Sequence, residues 1–297
     1  MMDKNIGLIL EGGGMRGAYT SGVLAAFMDE SIKFPYVIGV SAGASNGANY
    51  VSEQRERNKK VFIDHVKDKE YSGFKHWIKE KSYFNMDFLY DKLPNKIVPF
   101  DYETFEKSEV VFKTCVTHCK TGKPVYFEKN DFDPKYYGEV VLRASSSLPI
   151  ISQPVEINGE LYYDGGITDS IPIEKSIEDK NEYNVVILTR NKGYRKNAQK
   201  LGLITKKRLK KYPQLFQAIN TRHIRYNKVL DKIDRLESEN KVFIFRPIKE
   251  IKVDRLERNT SKLNDLYEQG YKETIRQMDS FKAVSYTHLT LPTKLEV

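Results

Sequence analysis

The chain has 297 residues, 40% hydrophobic, 12% aromatic and 30% charged, with a net charge of +9. That apolar content can fill a large core and excludes a disordered chain, while the charged fraction keeps the surface hydrated. No stretch approaches the ~18 consecutive apolar residues that a membrane-spanning helix needs.

Met1 to Asn5 run directly into a strand-like stretch, Ile6 to Leu10, which is too short and glycine-interrupted for a signal-peptide core, so a cytosolic location is expected. Gly12-Gly13-Gly14-Met15-Arg16-Gly17 follows, and a helical pattern runs from Ala18 to Phe27. A second strand, carrying Val37, Ile38 and Val40, leads into Gly39-Val40-Ser41-Ala42-Gly43. This Gly-x-Ser-x-Gly pentapeptide describes a serine on a sharp strand-to-helix turn. Its small neighbours allow the tight turn and the approach of a substrate carbonyl, and the next helix aims unpaired N–H groups at developing negative charge.

Further on, Val110-Val111-Phe112 and Val185 to Leu188 read as strands buried on both faces and separated by helical stretches. The expected fold is a three-layer α/β sandwich with a mostly parallel central sheet. Cys115 and Cys119 fall on one predicted strand roughly 13 Å apart, too far for a disulfide. With His118 they make half a zinc site and no second ligand pair exists, so they read as free thiols; no metal and no cofactor is expected. Asn158-Gly159, flanked by Val155, Ile157, Leu161 and Tyr163, marks a hairpin. Asp164-Gly165-Gly166 follows it.

An acyl-transfer site needs a nucleophile, a base and donors for an oxyanion. Ser41 offers the hydroxyl and Asp164, on a glycine-lined turn, the base. The glycine loop can point successive N–H groups at an oxyanion, with the Arg16 charge beside it. Gly-Gly-Gly-x-Arg-Gly, Gly-x-Ser-x-Gly and Asp-Gly-Gly, in this order, resemble the motifs of the patatin-like phospholipases. The resemblance spans roughly residues 5 to 190 and includes Ala144-Ser145-Ser146-Ser147-Leu148-Pro149 before the hairpin. It implies hydrolysis of acyl-ester lipids, phospholipids included, by a Ser41–Asp164 dyad without a catalytic histidine. It implies an oxyanion hole from Gly12, Gly13 and Gly14 with Arg16, Gly13 and Gly14 leading. Gly17, Gly39, Gly43, Gly165 and Gly166 would support these motifs.

Two enzyme readings compete on the same residues. Gly12-x-Gly14-x-x-Gly17 also fits a dinucleotide fingerprint, but the next strand ends at Val40-Ser41 where a ribose-binding carboxylate is expected; no Lys-Ser or Lys-Thr follows for a P-loop. Ser41, Asp164 and His223 occur in α/β-hydrolase order, yet one strand alone precedes the strand that leads into Ser41. His223 sits in what reads as an exposed basic helix, Thr221 to Arg225, and His65, His76, His118 and His288 lie near no motif. The alternative of another class is a membrane-surface binding or scaffolding protein with little turnover.

From Tyr183 to Leu230 there is no acidic residue, while lysines and arginines contribute +13 and leave the rest of the chain at −4. Residues 190–228 are therefore expected to meet anionic membrane surfaces peripherally, with a plain solvated face as the bland reading and nucleic acid as the weakest. After about Gly193 a mainly helical extension is expected: Leu215 to Leu236, a strand Val242 to Phe245, and a helix from about Ser261 to Phe281. Leu263, Leu266, Tyr267, Tyr271 and Ile275 give that last helix one apolar face. The expected division is a catalytic domain over 1–192, an extension over 193–283, and a non-native tail over 284–297 that resembles a translated transposon-end sequencing adapter.

Overall fold

The computed structural model describes residues 5–73, 76, 82–149, 151–198, 202, 206–207 and 209–290, the last six by backbone alone. Lys200 and Arg208 of the basic window, and residues 291–297 of the tail, lie outside these. Eight strands form one sheet: β1 (Ile6–Leu10), β2 (Tyr36–Val40), β3 (Val111–His118), β4 (Pro124–Glu128), β5 (Val155–Ile157), β6 (Glu160–Asp164), β7 (Tyr183–Ile187) and β8 (Val242–Phe245). Their order is β5-β6-β3-β2-β1-β7-β8, with β4 also paired to β3. The β3-β2-β1-β7-β8 core is parallel. β4, β5 and β6 form the antiparallel wing.

Burial on both faces explains the apolar runs of β1 and β2 and of Val185 to Ile187 in β7. Alternate residues serve two layers: Leu8, Leu10, Val37 and Val185 face one core, Ile9, Ile38 and Val186 the other. The first layer holds α1 (Gly17–Asp29) and α2 (Ala42–Val51). The second holds α3 (Ile173–Glu178) and α5 (Arg222–Ser238). The Asn158-Gly159 hairpin turns with φ of 51° and 80° at its two residues, as the left-handed region demands.

The segment after Gly193 joins this architecture closely. β8 adds a parallel strand beside β7, and the last helix, α6 (Thr260–Thr290), lies along α1. The backbones meet at two glycines: a Cβ on Gly22 would reach the Tyr267 carbonyl oxygen at 2.0 Å, and one on Gly270 the Tyr19 carbonyl oxygen at 2.3 Å. Phe27 packs on Phe245 at 5.1 Å and on Phe281 at 5.8 Å between ring centroids. Truncating a fully buried phenylalanine such as Phe281 to alanine costs about 3–5 kcal/mol. The expected single helix from Leu215 to Leu236 is two, α4 (Pro213–Asn220) and α5, broken at Thr221. α6 runs past its expected end at Phe281 to Thr290, since extending a docked helix costs little once it is nucleated.

Candidate active site

β2 and β6 occupy successive stretches of one edge of β3. Val40 is opposite Cys115 and Asp164 opposite Val116, while β4 takes the other edge. β2 runs parallel to β3 and β6 antiparallel, so their C-terminal ends meet head-on. Residues 123 positions apart in sequence, Ser41 and Asp164, are brought together by strand register.

Ser41 turns the chain from β2 into α2 with φ 55° and ψ −126°, a conformation costly for a residue with a Cβ. Its N–H donates to the fully buried Ser145 Oγ at 2.8 Å, and that hydroxyl donates to the Cys115 carbonyl at 2.7 Å. The Asp164 N–H donates to the Ser147 carbonyl at 2.7 Å. The serine-rich stretch before the hairpin thus holds both candidate reacting residues. Ser146 accepts from Tyr90 Oη at 2.6 Å, and Tyr90 Oη lies 3.3 Å from Ser45 Oγ.

The Asp164 carboxylate is buried, accepts the Gly166 N–H at 2.7 Å, and lies within hydrogen-bonding reach of the Ser41 hydroxyl. Burial pushes its pKa above the ordinary value; the Arg222 charge, the Ser41 hydroxyl, the Gly166 N–H and the Arg255 charge oppose that rise. Asp169, five residues on, bonds the Tyr126 hydroxyl at 2.7 Å and does not line the cavity that Asp164 and Ser41 share.

That cavity is about 430 Å³, with walls that include Phe62, Phe84, Leu89, Phe100, Leu142 and Leu148. Gly12, Gly13 and Gly14 border it at the Ser41 end. The Gly12 N–H is committed to the Ser170 carbonyl at 3.2 Å and the Met15 N–H to the Arg255 carbonyl at 3.2 Å. Among the described residues nothing accepts the Gly13 or Gly14 N–H between them. Gly14 sits at φ +58°, with the Arg255 carbonyl oxygen 2.8 Å from where a Cβ would stand. Gly17, Gly39, Gly43 and Gly165 lie behind the wall, where a Cβ would meet Ala42 Cβ at 3.0 Å, Ala44 Cα at 2.7 Å, the Leu10 carbonyl at 2.5 Å and the Cys115 carbonyl at 2.2 Å. Gly166 lines the cavity and also donates to Asp164.

Arg16 does not line the cavity. It is 4% exposed beneath the loop, its pKa lowered to about 10 by burial first and then by the Arg190 and Arg255 charges. The basic helix around His223 also differs from expectation. Arg222 turns into the cavity, and Arg225 donates to the carbonyls of Ile167 at 3.0 Å and Thr168 at 3.3 Å, because this end of α5 covers the Asp164 turn. His118 pairs with Glu160 at 3.3 Å and His65 with Asp68 at 2.7 Å, both away from the cavity. Cys115 and Cys119 are buried free thiols, and among the described residues no histidine, cysteine and carboxylate group is arranged to hold a metal. Ser145, Arg222 and Arg255 have no place in the site expected from the sequence; the serine-rich stretch contains Ser145, the basic window contains Arg222, and nothing local marks Arg255.

A strand-end serine in an elbow, a buried aspartate and a glycine loop thus converge on one cavity of a mostly parallel α/β sheet. The family model for patatin-like phospholipases matches residues 8–177, more than half of the chain, and the chain belongs to that family. A second model, a domain of unknown function (DUF6363), matches residues 212–285. The uncharacterized protein YjjU of Escherichia coli strain K12 is 28% identical over 62% of this chain and 52% of its own length. The probable lipid hydrolase 463L of Invertebrate iridescent virus 6 is 27% identical over 60% of this chain and 65% of its own length. The matched stretches thus span less than two-thirds of either relative. The crystal structure of VipD from Legionella pneumophila superposes with a TM-score of 0.52 over 94% of this chain and 67% of its own, at 15% identity, a likeness of fold.

Proposed function

We propose that the protein is a serine lipid acyl hydrolase that cleaves acyl ester bonds through Ser41 and Asp164. The observation that carries this reading is the Ser41 hydroxyl within reach of the buried Asp164 carboxylate at the head of a mostly apolar cavity. A cavity of this size and lining suits an acyl chain. Asp164 accepts the hydroxyl proton as Ser41 Oγ attacks the ester carbonyl. The resulting oxyanion is met by the N–H groups of Gly13 and Gly14. Collapse of the tetrahedral intermediate breaks the bond to the alcohol, which leaves with the proton from Asp164. Water then attacks the acyl-serine, losing a proton to Asp164, and collapse breaks the bond to Ser41 Oγ, which takes that proton back from Asp164 as the fatty acid is released.

Strain at Ser41 and the raised Asp164 pKa support the same reading, since both are costs that a structural turn would not require. Fluorophosphonate labelling followed by turnover of p-nitrophenyl esters and phospholipids tests it. Wild-type protein should be labelled at Ser41, and Ser41→Ala should lose label and lower turnover by at least about 10³-fold with its fold unchanged. Label on another serine would reject the assignment; no label and no turnover would favour the membrane-binding or scaffolding alternative.

A further inference from the structure

Beside the Ser41 end of the cavity lies a concentration of positive charge that the acyl chemistry does not use. β1 has β2 on one side and β7 on the other, and the connecting helices change face there: α1 and α2 cover one face, α3 and α5 the opposite one. The crevice outside the carboxyl ends of strands at such a switch point is where open α/β sheets take ligands. Here Glu11 and the glycine loop leave β1, and Thr189 and Arg190 follow β7.

Arg16, Arg190, Lys196, Arg222 and Arg255 gather around this crevice, close enough that Arg16 feels Arg190 and Arg255, and Lys196 feels Arg222, Arg255 and Arg16. The nearest carboxylates offset part of this charge, Glu11 favouring the charged forms of Arg16, Lys196 and Arg222 and Asp164 that of Arg222, but both are hydrogen-bonded to other groups. Glu11 accepts from the Thr189 N–H at 2.6 Å, the Thr189 hydroxyl at 3.0 Å and the Tyr226 hydroxyl at 2.7 Å. Asp164 serves Gly166 and Ser41. Aromatic faces position two of the cations: Lys196 Nζ lies 4.2 Å from the Tyr226 ring centroid, and Arg190 Cζ 4.6 Å from that of Tyr194. Stacking occupies the face of a guanidinium and leaves its N–H edge for an acceptor. Among the described residues five buried side-chain polar atoms lack a partner, and three of them are the Nε atoms of Arg16, Arg190 and Arg222.

Arg16 is buried and the other four are half-buried, with Arg222 also donating to Ser170 Oγ at 3.3 Å; cations crowded in this way, with Nε donors left unspent, repel one another unless an anion joins them. We propose that these five side chains form a subsite for a phosphate group, opening through Arg222 and Arg255 on the cavity that holds Ser41. Planar guanidinium forks match tetrahedral phosphate oxygens in pairs, which a carboxylate-poor, arginine-rich crevice is suited to do. Burial followed by the Arg222 and Arg255 charges pushes Lys196 down to about 7, a cost that a bound dianion reverses. Arg222 and Arg255 belong to the 212–285 segment, so the subsite gives the domain of unknown function a direct share in the site. If the hydrolase reading holds, on which this assignment of the ligand's source rests, the phosphate is that of a lipid head group placed beside the scissile ester.

The first test uses the full chain carrying Ser41→Ala, so that nothing is turned over. Inorganic phosphate titrated into phosphate-free, low-salt buffer should bind saturably by calorimetry, and Lys196→Gln or Arg255→Gln in the same background should weaken it by about 10-fold or more. In phosphate-free buffer both variants should melt no lower than the parent, because each removes like-charge repulsion. No saturable binding, or equal affinity in parent and variants, overturns the proposal. So does a lower melting temperature with unchanged phosphate affinity, which would make these side chains structural.

The second arm takes the Ser41 protein and compares a short-chain phospholipid with a neutral ester of the same acyl chain. For a head-group site, the ratio of the two kcat/KM values falls by about 10-fold in Lys196→Gln, and phosphate competes with the phospholipid alone. Phosphate binding with an unchanged ratio supports the subsite and assigns it to free phosphate. Absent turnover of both esters would reject the hydrolase reading, while the phosphate titration would still decide whether the subsite exists.

Discussion

The backbone N–H of Ser41 donates to the hydroxyl of Ser145, 104 residues away, at 2.8 Å. Through it the strained elbow is tied to the Cys115 carbonyl on β3, whose next residue, Val116, is paired with Asp164. One buried hydroxyl therefore couples the positions of the candidate nucleophile and base.

Ser145→Ala removes that tie and leaves the Cys115 carbonyl without its donor. A loss of about 1–3 kcal/mol is expected, or several degrees in melting temperature for a chain of this size. Turnover should fall by up to about 10²-fold through misplacement of Ser41, mostly in kcat, with fluorophosphonate labelling slowed and not abolished. Unaltered labelling kinetics would show that the elbow holds itself.

Burial raises the Asp164 pKa, so catalytic competence is present above that raised value and lost as pH falls through it. The acid limb of kcat/KM should lie above the ordinary carboxylate range, and Arg222→Gln, which removes the leading opposing charge, should move it to still higher pH. Asp164→Asn should cost about 10²–10⁴-fold in turnover, whereas His223→Ala should be silent. A large loss in the histidine variant would replace the dyad with a triad.

The same raised pKa makes a stability statement of opposite sign. Between the ordinary and the raised pKa the folded chain binds more protons than the unfolded one, so stability falls as pH rises through that window and the full penalty applies above it. Asp164→Asn should therefore melt higher than wild type at neutral pH while losing activity. Equal melting at pH 4 and pH 8 relative to wild type would contradict it.

Gly14→Ala should damage fold and function together. A Cβ there meets the Arg255 carbonyl oxygen at 2.8 Å in a left-handed conformation, itself worth about 1–2 kcal/mol. At Gly13 the added Cβ would come nearest the Thr189 side chain, its Oγ1 at 2.9 Å. Gly13→Ala should keep more stability, and lower turnover toward the 10²–10³-fold scale of a lost oxyanion donor. Thermal melts beside steady-state kinetics separate the two.

Within the basic window two groups stand apart. Arg190, Lys196, Arg222 and Arg225 are turned inward, while Lys206, Lys207, Lys210 and Lys211 are exposed. Changing these four lysines to Gln should weaken binding to anionic vesicles by about 1 kcal/mol per charge at low salt, with the difference fading as the Debye length shrinks below ~8–10 Å. Hydrolysis of a soluble short-chain ester should be unaffected. Equal vesicle binding by both proteins would leave the patch without a membrane role.

The strand-end turns are legible in the sequence because their chemistry is local. Ser41 needs small neighbours within two residues, Asn158-Gly159 needs φ above zero at both positions, and the glycine loop needs bare backbone between one strand and one helix. Apolar runs too short for helices and unalternated by polar residues likewise announce strands buried on two faces. The candidate nucleophile, the candidate base and the layer architecture are therefore written in short stretches of chain.

What the sequence could not carry is where distant cations point. Arg222 and Arg225 read as part of an exposed basic helix, because periodicity identifies an apolar face but is blind to a charged side chain whose partners come from another layer. Only the β1–β7 switch point, the break at Thr221 that swings α5 over Asp164, and the loop through Arg255 put Arg222 and Arg255 at the cavity and Arg225 on the carbonyls of the Asp164 turn. The meeting of Ser41 with Asp164 was decided in the same way, by two strands sharing one edge of β3. Such a contact belongs to register and topology, and no stretch of chain short enough to read locally contains it.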